Sequence, residues 1–160
     1  MENPTQLAQR FREVILNGKW IANTNYKALI DDLTWQEATR KTGSLNTIAA
    51  LVFHINYYIG GVLNVFEGGK LEIRDKYSFD MPEIASEADW SKLKTSLFEN
   101  SEKFAHHVEQ MTEEKLSSPF VDVKYGDYRR NIEGMIEHAY YHMGQVSLLR
   151  KIEEIEKIVD

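Results

Sequence analysis

The stretch Leu45-Asn46-Thr47-Ile48-Ala49-Ala50-Leu51-Val52-Phe53-His54-Ile55-Asn56-Tyr57-Tyr58-Ile59-Gly60-Gly61-Val62-Leu63-Asn64-Val65-Phe66 decides the fold. Ile48, Leu51, Val52, Ile55, Tyr58, Ile59, Val62, Leu63 and Phe66 recur at helical spacing. Ser44 offers an N-cap and Gly68-Gly69 a stop, which predicts about 23 helical residues, roughly 34 Å long. A helix with so wide an apolar face must be covered by others.

The rest of the chain supplies the cover. Pro4 suits the first position of a helix carrying Leu7, Phe11, Val14 and Ile15. A second helical stretch runs from about Lys19 to Ile30, with the chain either broken or bent at Gly18. Thr34-Trp35-Gln36-Glu37 has capping-box spacing. Ser86 and Asp89 are candidate caps for a helix carrying Trp90, Leu93, Leu97, Phe104, Val108 and Met111, and Thr112 for one further turn. The last long helix is predicted from about Arg129 or Asn131 to Ile155. Pro119 to Tyr125 alternates enough for a short extended piece. The fold class is therefore all-α: one 1–160 domain, a four-helix bundle with a short irregular or extended insert near 117–127. Bundle neighbours are usually joined by about 2–8 residues. Residues 68–88 are long enough to cross back along the bundle, which would leave the second and third long helices parallel.

Composition narrows the function. The 160 residues are 42% hydrophobic and 28% charged, an ordinary globular balance. There is no cysteine, which removes disulfides, thiolate nucleophiles and every Cys-based metal site, and fits a reducing compartment. The net charge of −6 and a pI near 5.4 argue against nucleic acid as a partner. The longest wholly apolar run, Ile48 to Phe53, is too short to span a membrane. The opening residues Met1 to Gln6 show no cationic region followed by an apolar stretch, so a signal peptide is not expected there. The expectation is a cytoplasmic protein with a small-molecule substrate, neither nucleic acid nor membrane as partner, and an aromatic surplus (11%) that favours a homodimer.

Five histidines carry the chemistry: His54, His106, His107, His138 and His142. His138 and His142 stand at i and i+4, which stacks both imidazoles on one helix face. His54 lies 9 residues past Leu45, His138 lies 9 past Arg129, and His142 lies 9 before Lys151. End-to-end alignment of the two helices brings His54 level with His138 if they are parallel and with His142 if antiparallel. Three imidazoles then meet at mid-height, where bundles build metal sites. The alternative is three core histidines, each bonded to a neighbour. Adjacent His106 and His107 point about 100° apart and cannot clasp one ion; His107 leans on Phe104 and Met111.

A three-histidine site leaves a coordination position open, the catalytic arrangement. That position could hold metal-bound water or an exogenous thiolate, so no catalytic side chain is assigned. Imidazole ligands suit a divalent transition metal. Binding is expected to weaken below about pH 6 as imidazoles protonate. Tyr57, Tyr58, Tyr141 and Gln145 are candidates for the substrate pocket, although aromatic residues at this spacing also belong to cores. Glu137 points away from its neighbour His138 and is not assigned as a base. Arg129 and Arg130 either grip an anionic substrate or form a solvated face.

Ser44 to His54 and His138-Ala139-Tyr140-Tyr141-His142-Met143-Gly144-Gln145-Val146 together resemble the DinB/YfiT-like superfamily of metal-dependent enzymes. The resemblance extends to helix number, order and chain length. It implies an up-down-down-up bundle, frequent homodimers, and a zinc or nickel ion on His54, His138 and His142. It implies no single reaction: the superfamily includes thiol S-transferases that use a low-molecular-weight thiol as co-substrate, a thiol-dependent isomerase, and proteins called hydrolases.

Overall fold

The computed structural model describes residues 2–159; Met1 and Asp160, which the 1–160 reading includes, lie outside them. Among the described residues seven α-helices follow one another: α1 (Pro4–Arg12), α2 (Tyr26–Ile30), α3 (Trp35–Thr39), α4 (Ile48–Phe66), α5 (Glu87–Glu109), α6 (Glu113–Leu116) and α7 (Tyr128–Val159). No strand occurs among the described residues. The protein is an all-α bundle, with α1, α4, α5 and α7 as its long members.

Local chemistry sets the helix ends. Asn3 and Gln6 close a capping box over Pro4, and Thr34 and Glu37 close another over α3. α1 continues into a π-helical turn, Glu13–Asn17, and the chain then breaks at Gly18. The predicted helix from Lys19 shrinks to Tyr26–Ile30. Asn25 is the reason: its side chain accepts from the Ala28 amide and donates to the Gly18 carbonyl, which starts the helix late. Trp20 and Ile21 are left exposed on the turn before it.

α4 is shorter than its apolar pattern predicts, 19 residues rather than about 23, because Thr47 and not Ser44 is the N-cap. The Thr47 hydroxyl accepts from Ala50, and Leu45 lies in a turn outside the helix. At the other end Gly68 takes φ +91° and the Gly69 amide returns to the Asn64 carbonyl, closing the helix. α4 has the length and apolarity that a membrane span also has, but just over half of it is packed inside the bundle.

Residues that meet across the bundle fix the helix directions. Asn56 of α4 bonds Ser96 and Asn100 of α5, while Phe66 packs on Phe104 at 5.0 Å. Later residues meet later residues, so α4 and α5 run parallel. Against α7 the order reverses: His54 meets His138 and His142, and Phe66 meets Tyr128, so these helices are antiparallel. The core between them holds Phe11, Trp90, Leu97 and Phe104 without exposure, and the Phe11 and Phe104 rings meet tilted, 4.3 Å between centroids. Truncating such an aromatic to alanine costs roughly 3–5 kcal/mol. The Trp90 indole donates to the Leu33 carbonyl, so its burial leaves no orphaned donor.

The segment between α4 and α5 lies against α4. Gly61 admits it: a Cβ there would stand 2.3 Å from Ile73. The extended piece predicted at 119–125 is a single bridge between Pro119 and Asp127 that encloses a 3-10 turn, Val123–Tyr125. Its alternation marks no sheet face, since Val121 and Val123 are exposed and only Phe120 turns inward, onto Tyr128.

Candidate metal centre

The antiparallel pair α4 and α7 carries the histidines to one point. The Nε2 atoms of His54 and His138 lie 3.2 Å apart, and those of His142 and His138 lie 3.0 Å apart. His54 and His142 are buried and His138 is half-buried. Residue 54 proves level with both members of the i, i+4 pair. Nitrogens each about 2.0–2.1 Å from one zinc ion lie within roughly 4 Å of each other, so the separations fit a shared ion.

The far side of each ring shows why they converge as they do. The Nδ1 of His54 lies 3.2 Å from the Ser78 carbonyl, and that of His142 lies 2.8 Å from Oε1 of Gln145. These oxygens only accept, so both Nδ1 atoms carry the proton and donate it. Both Nε2 atoms therefore present lone pairs, and both are directed at the Nε2 of His138. Three nitrogens face one another, and at most one proton, on His138, lies between them. A cation at the centre satisfies all three. Histidine ligands are characteristically held this way, with the remote N–H fixed by an acceptor.

Burial pushes all three imidazoles toward the neutral form a metal requires. His138 is lowered to about 4, by burial first and then by His142 and His54. His54 is lowered by burial and by His142, against the opposing pull of the Ser78 carbonyl. His142 is lowered by burial, against its bond to Gln145.

The segment 74–79 straps this centre onto α4. Tyr57 exchanges hydrogen bonds with the Arg74 backbone, Tyr58 donates to Asp75 at 2.8 Å, and Phe79 stacks on His54 at 4.1 Å. None of Asp75, Ser78 and Phe79 was legible in the sequence. They belong to an irregular segment at least 20 residues from His54, and one of them acts through its backbone.

A cavity of about 470 Å³ opens beside His138. Of the four residues expected to line a pocket, Tyr58 lines this one, with its ring edge on His54 and His138. Tyr57 is engaged with the strap. Tyr141 lies edge-on to His142 on the outer surface, and Gln145 holds His142 and borders a second groove with Leu45 and Leu148. Asp75 and Glu137 line the cavity beside His138, so Glu137, which the sequence did not assign as a base, borders the same cavity as that histidine, and Asp75 joins it from the irregular segment. His106 and His107 lie on α5 outside the cluster, and His107 faces Glu67 and the Phe66 ring.

The family model of the DinB superfamily matches residues 22–146, which include all three histidines, Ser78 and Gln145. The chain belongs to the DinB superfamily. Comparisons of this DinB-superfamily chain with curated proteins and with solved structures return no match. The grouping of His54, His138 and His142, with ligand atoms all within 4.8 Å, agrees with metal binding in this superfamily.

Proposed function

We propose that this chain is a metal-dependent enzyme acting on a small molecule, with a divalent transition metal, zinc or nickel, held by His54, His138 and His142. The observation that carries the reading is the meeting of three imidazole nitrogens with, at most, one proton between them. Structural zinc sites are closed by a fourth protein ligand, whereas no fourth His, Asp or Glu joins this group among the described residues. A bound ion would supply Lewis-acid activation of water or of an external thiol at the position the histidines leave open.

The chain's own residues hold and enclose. Ser78 and Gln145 fix two ring tautomers, Phe79 covers His54 from solvent, and Tyr58 with Asp75 forms the wall nearest His138. Asp75 on this wall is a carboxylate able to take a proton from a group entering the cavity. With no cysteine in the chain, a thiol S-transfer would use a low-molecular-weight thiol as co-substrate; hydrolysis would need only water. The acidic, cysteine-free composition supports a cytoplasmic protein with no nucleic-acid or membrane partner. Tyr141, Leu148 and Ile155 are exposed at seven-residue intervals on α7, which supports a homodimer.

The test is a screen of zinc- and nickel-loaded protein with thiols plus electrophiles, and with esters and amides alone. An activity that needs the metal and is lost in His142→Ala is expected. Full metal occupancy with no turnover in either set would leave a metal-binding bundle without catalysis.

A further inference from the structure

Adjacent Arg129 and Arg130 have opposite surroundings. Arg129 is buried and spent: its guanidinium donates to the Glu2 carbonyl and pairs with Glu113 at 2.8 Å. Arg130 is exposed, lines the 470 Å³ cavity, and has no ion pair among the described residues. Gly126 makes room for its stem, since a Cβ there would stand 2.9 Å from Arg130 Cδ, and its φ of +74° disfavours any other residue. The same cavity reaches His138, eight residues along α7, or about 12 Å at 1.5 Å per residue. Between these ends Val62, Leu71, Ile73 and Met135 supply an apolar stretch of wall beside the carboxylates of Asp75, Glu133 and Glu137, and Gly134 leaves the floor open.

We infer that Arg130 is an anion anchor, and that the cavity takes an elongated small molecule with a carboxylate at one end and its reacting group at the histidine end. Guanidinium matches a carboxylate by two parallel hydrogen bonds. The apolar wall matches a hydrocarbon or aryl body about two helical turns long. Asp75, Glu133 and Glu137 line the same cavity and repel further negative charge, which favours a monoanion over a polyphosphate. Only the assignment of the reacting end rests on the metal reading above.

The test uses 8-mercaptooctanoate and 8-mercaptooctanol, which differ only in the anionic end, against metal-free and cobalt(II)-loaded protein. Wild type should prefer the acid by about tenfold in both forms, Arg130→Gln should abolish the preference, and Arg130→Lys should keep part of it. An equal preference in Arg130→Gln, or none in wild type, overturns the anchor. The thiolate-to-cobalt absorption band reports the other end separately. An acid preference without that band upholds the anchor and contradicts the open metal position; the band without dependence on Arg130 overturns the anchor alone.

Discussion

His54 and His138 are 84 residues apart in sequence, yet their Nε2 atoms stand 3.2 Å from each other, with the His54 lone pair directed at its neighbour. Two helices hold them there. α4 is fixed at this height by Phe66 on Phe104 and Tyr128, and its His54 ring is clamped by Ser78 and Phe79. Close approach of such groups costs energy unless a proton or a cation joins them.

The side-chain oxygen of Gln145 accepts the Nδ1 proton of His142. Gln145→Leu should lower zinc affinity about 10–100-fold without unfolding the bundle, while Gln145→Glu, which still accepts, should stay near wild type. Chelator competition measures both. Equal affinities for wild type and Gln145→Leu would deny it that task.

The lowered imidazoles fix a pH dependence. Between about pH 4 and 6.5 the unfolded chain binds protons that the folded His138 refuses, so stability must rise with pH across this window. It is fully present above 6.5 and is lost as pH falls toward 4. Thermal melts of metal-free protein should show this slope, reduced in His138→Gln. Proton competition with the metal should also begin lower than unperturbed imidazoles imply, so wild type is expected to retain zinc below pH 6. Release centred at 6.5 would contradict the shifts.

Gly134 and Gly144 both lie on exposed turns of α7, and a Cβ added to either meets nothing within 4 Å. Alanine at each should stabilise the protein by about 0.5–1 kcal/mol in chemical denaturation. Only Gly134 lines the cavity, so only Gly134→Ala should also weaken binding of 8-mercaptooctanoate. Destabilisation by both would mean that α7 is not the regular helix described.

Much of this was legible because periodicity reports helices, and helices carry the histidines. The stripe from Ile48 to Phe66 and the His138/His142 spacing were sufficient to place three imidazoles together. Helix starts were less legible: Ser44 and Thr47 offer the same hydroxyl, and only the turn through Gly43 decides between them. The strap was illegible. Residues 74–79 have no period, and their hold on α4 depends on the missing Cβ of Gly61 and on a backbone carbonyl, which no side-chain pattern encodes. The differing roles of Arg129 and Arg130 likewise depended on Glu113 and Gly126, distant from them in function but not in space.

Metal stoichiometry after loading and desalting tests the central claim most directly. Wild type, His54→Ala, His138→Ala and His142→Ala would each be exposed to zinc or nickel, desalted, and assayed for metal and for helical circular dichroism. One ion per chain in wild type is expected, with a sharp loss in every variant and helix content unchanged, since the apolar core and not the site holds the bundle. Wild type that keeps no more metal than the three folded variants would contradict the account.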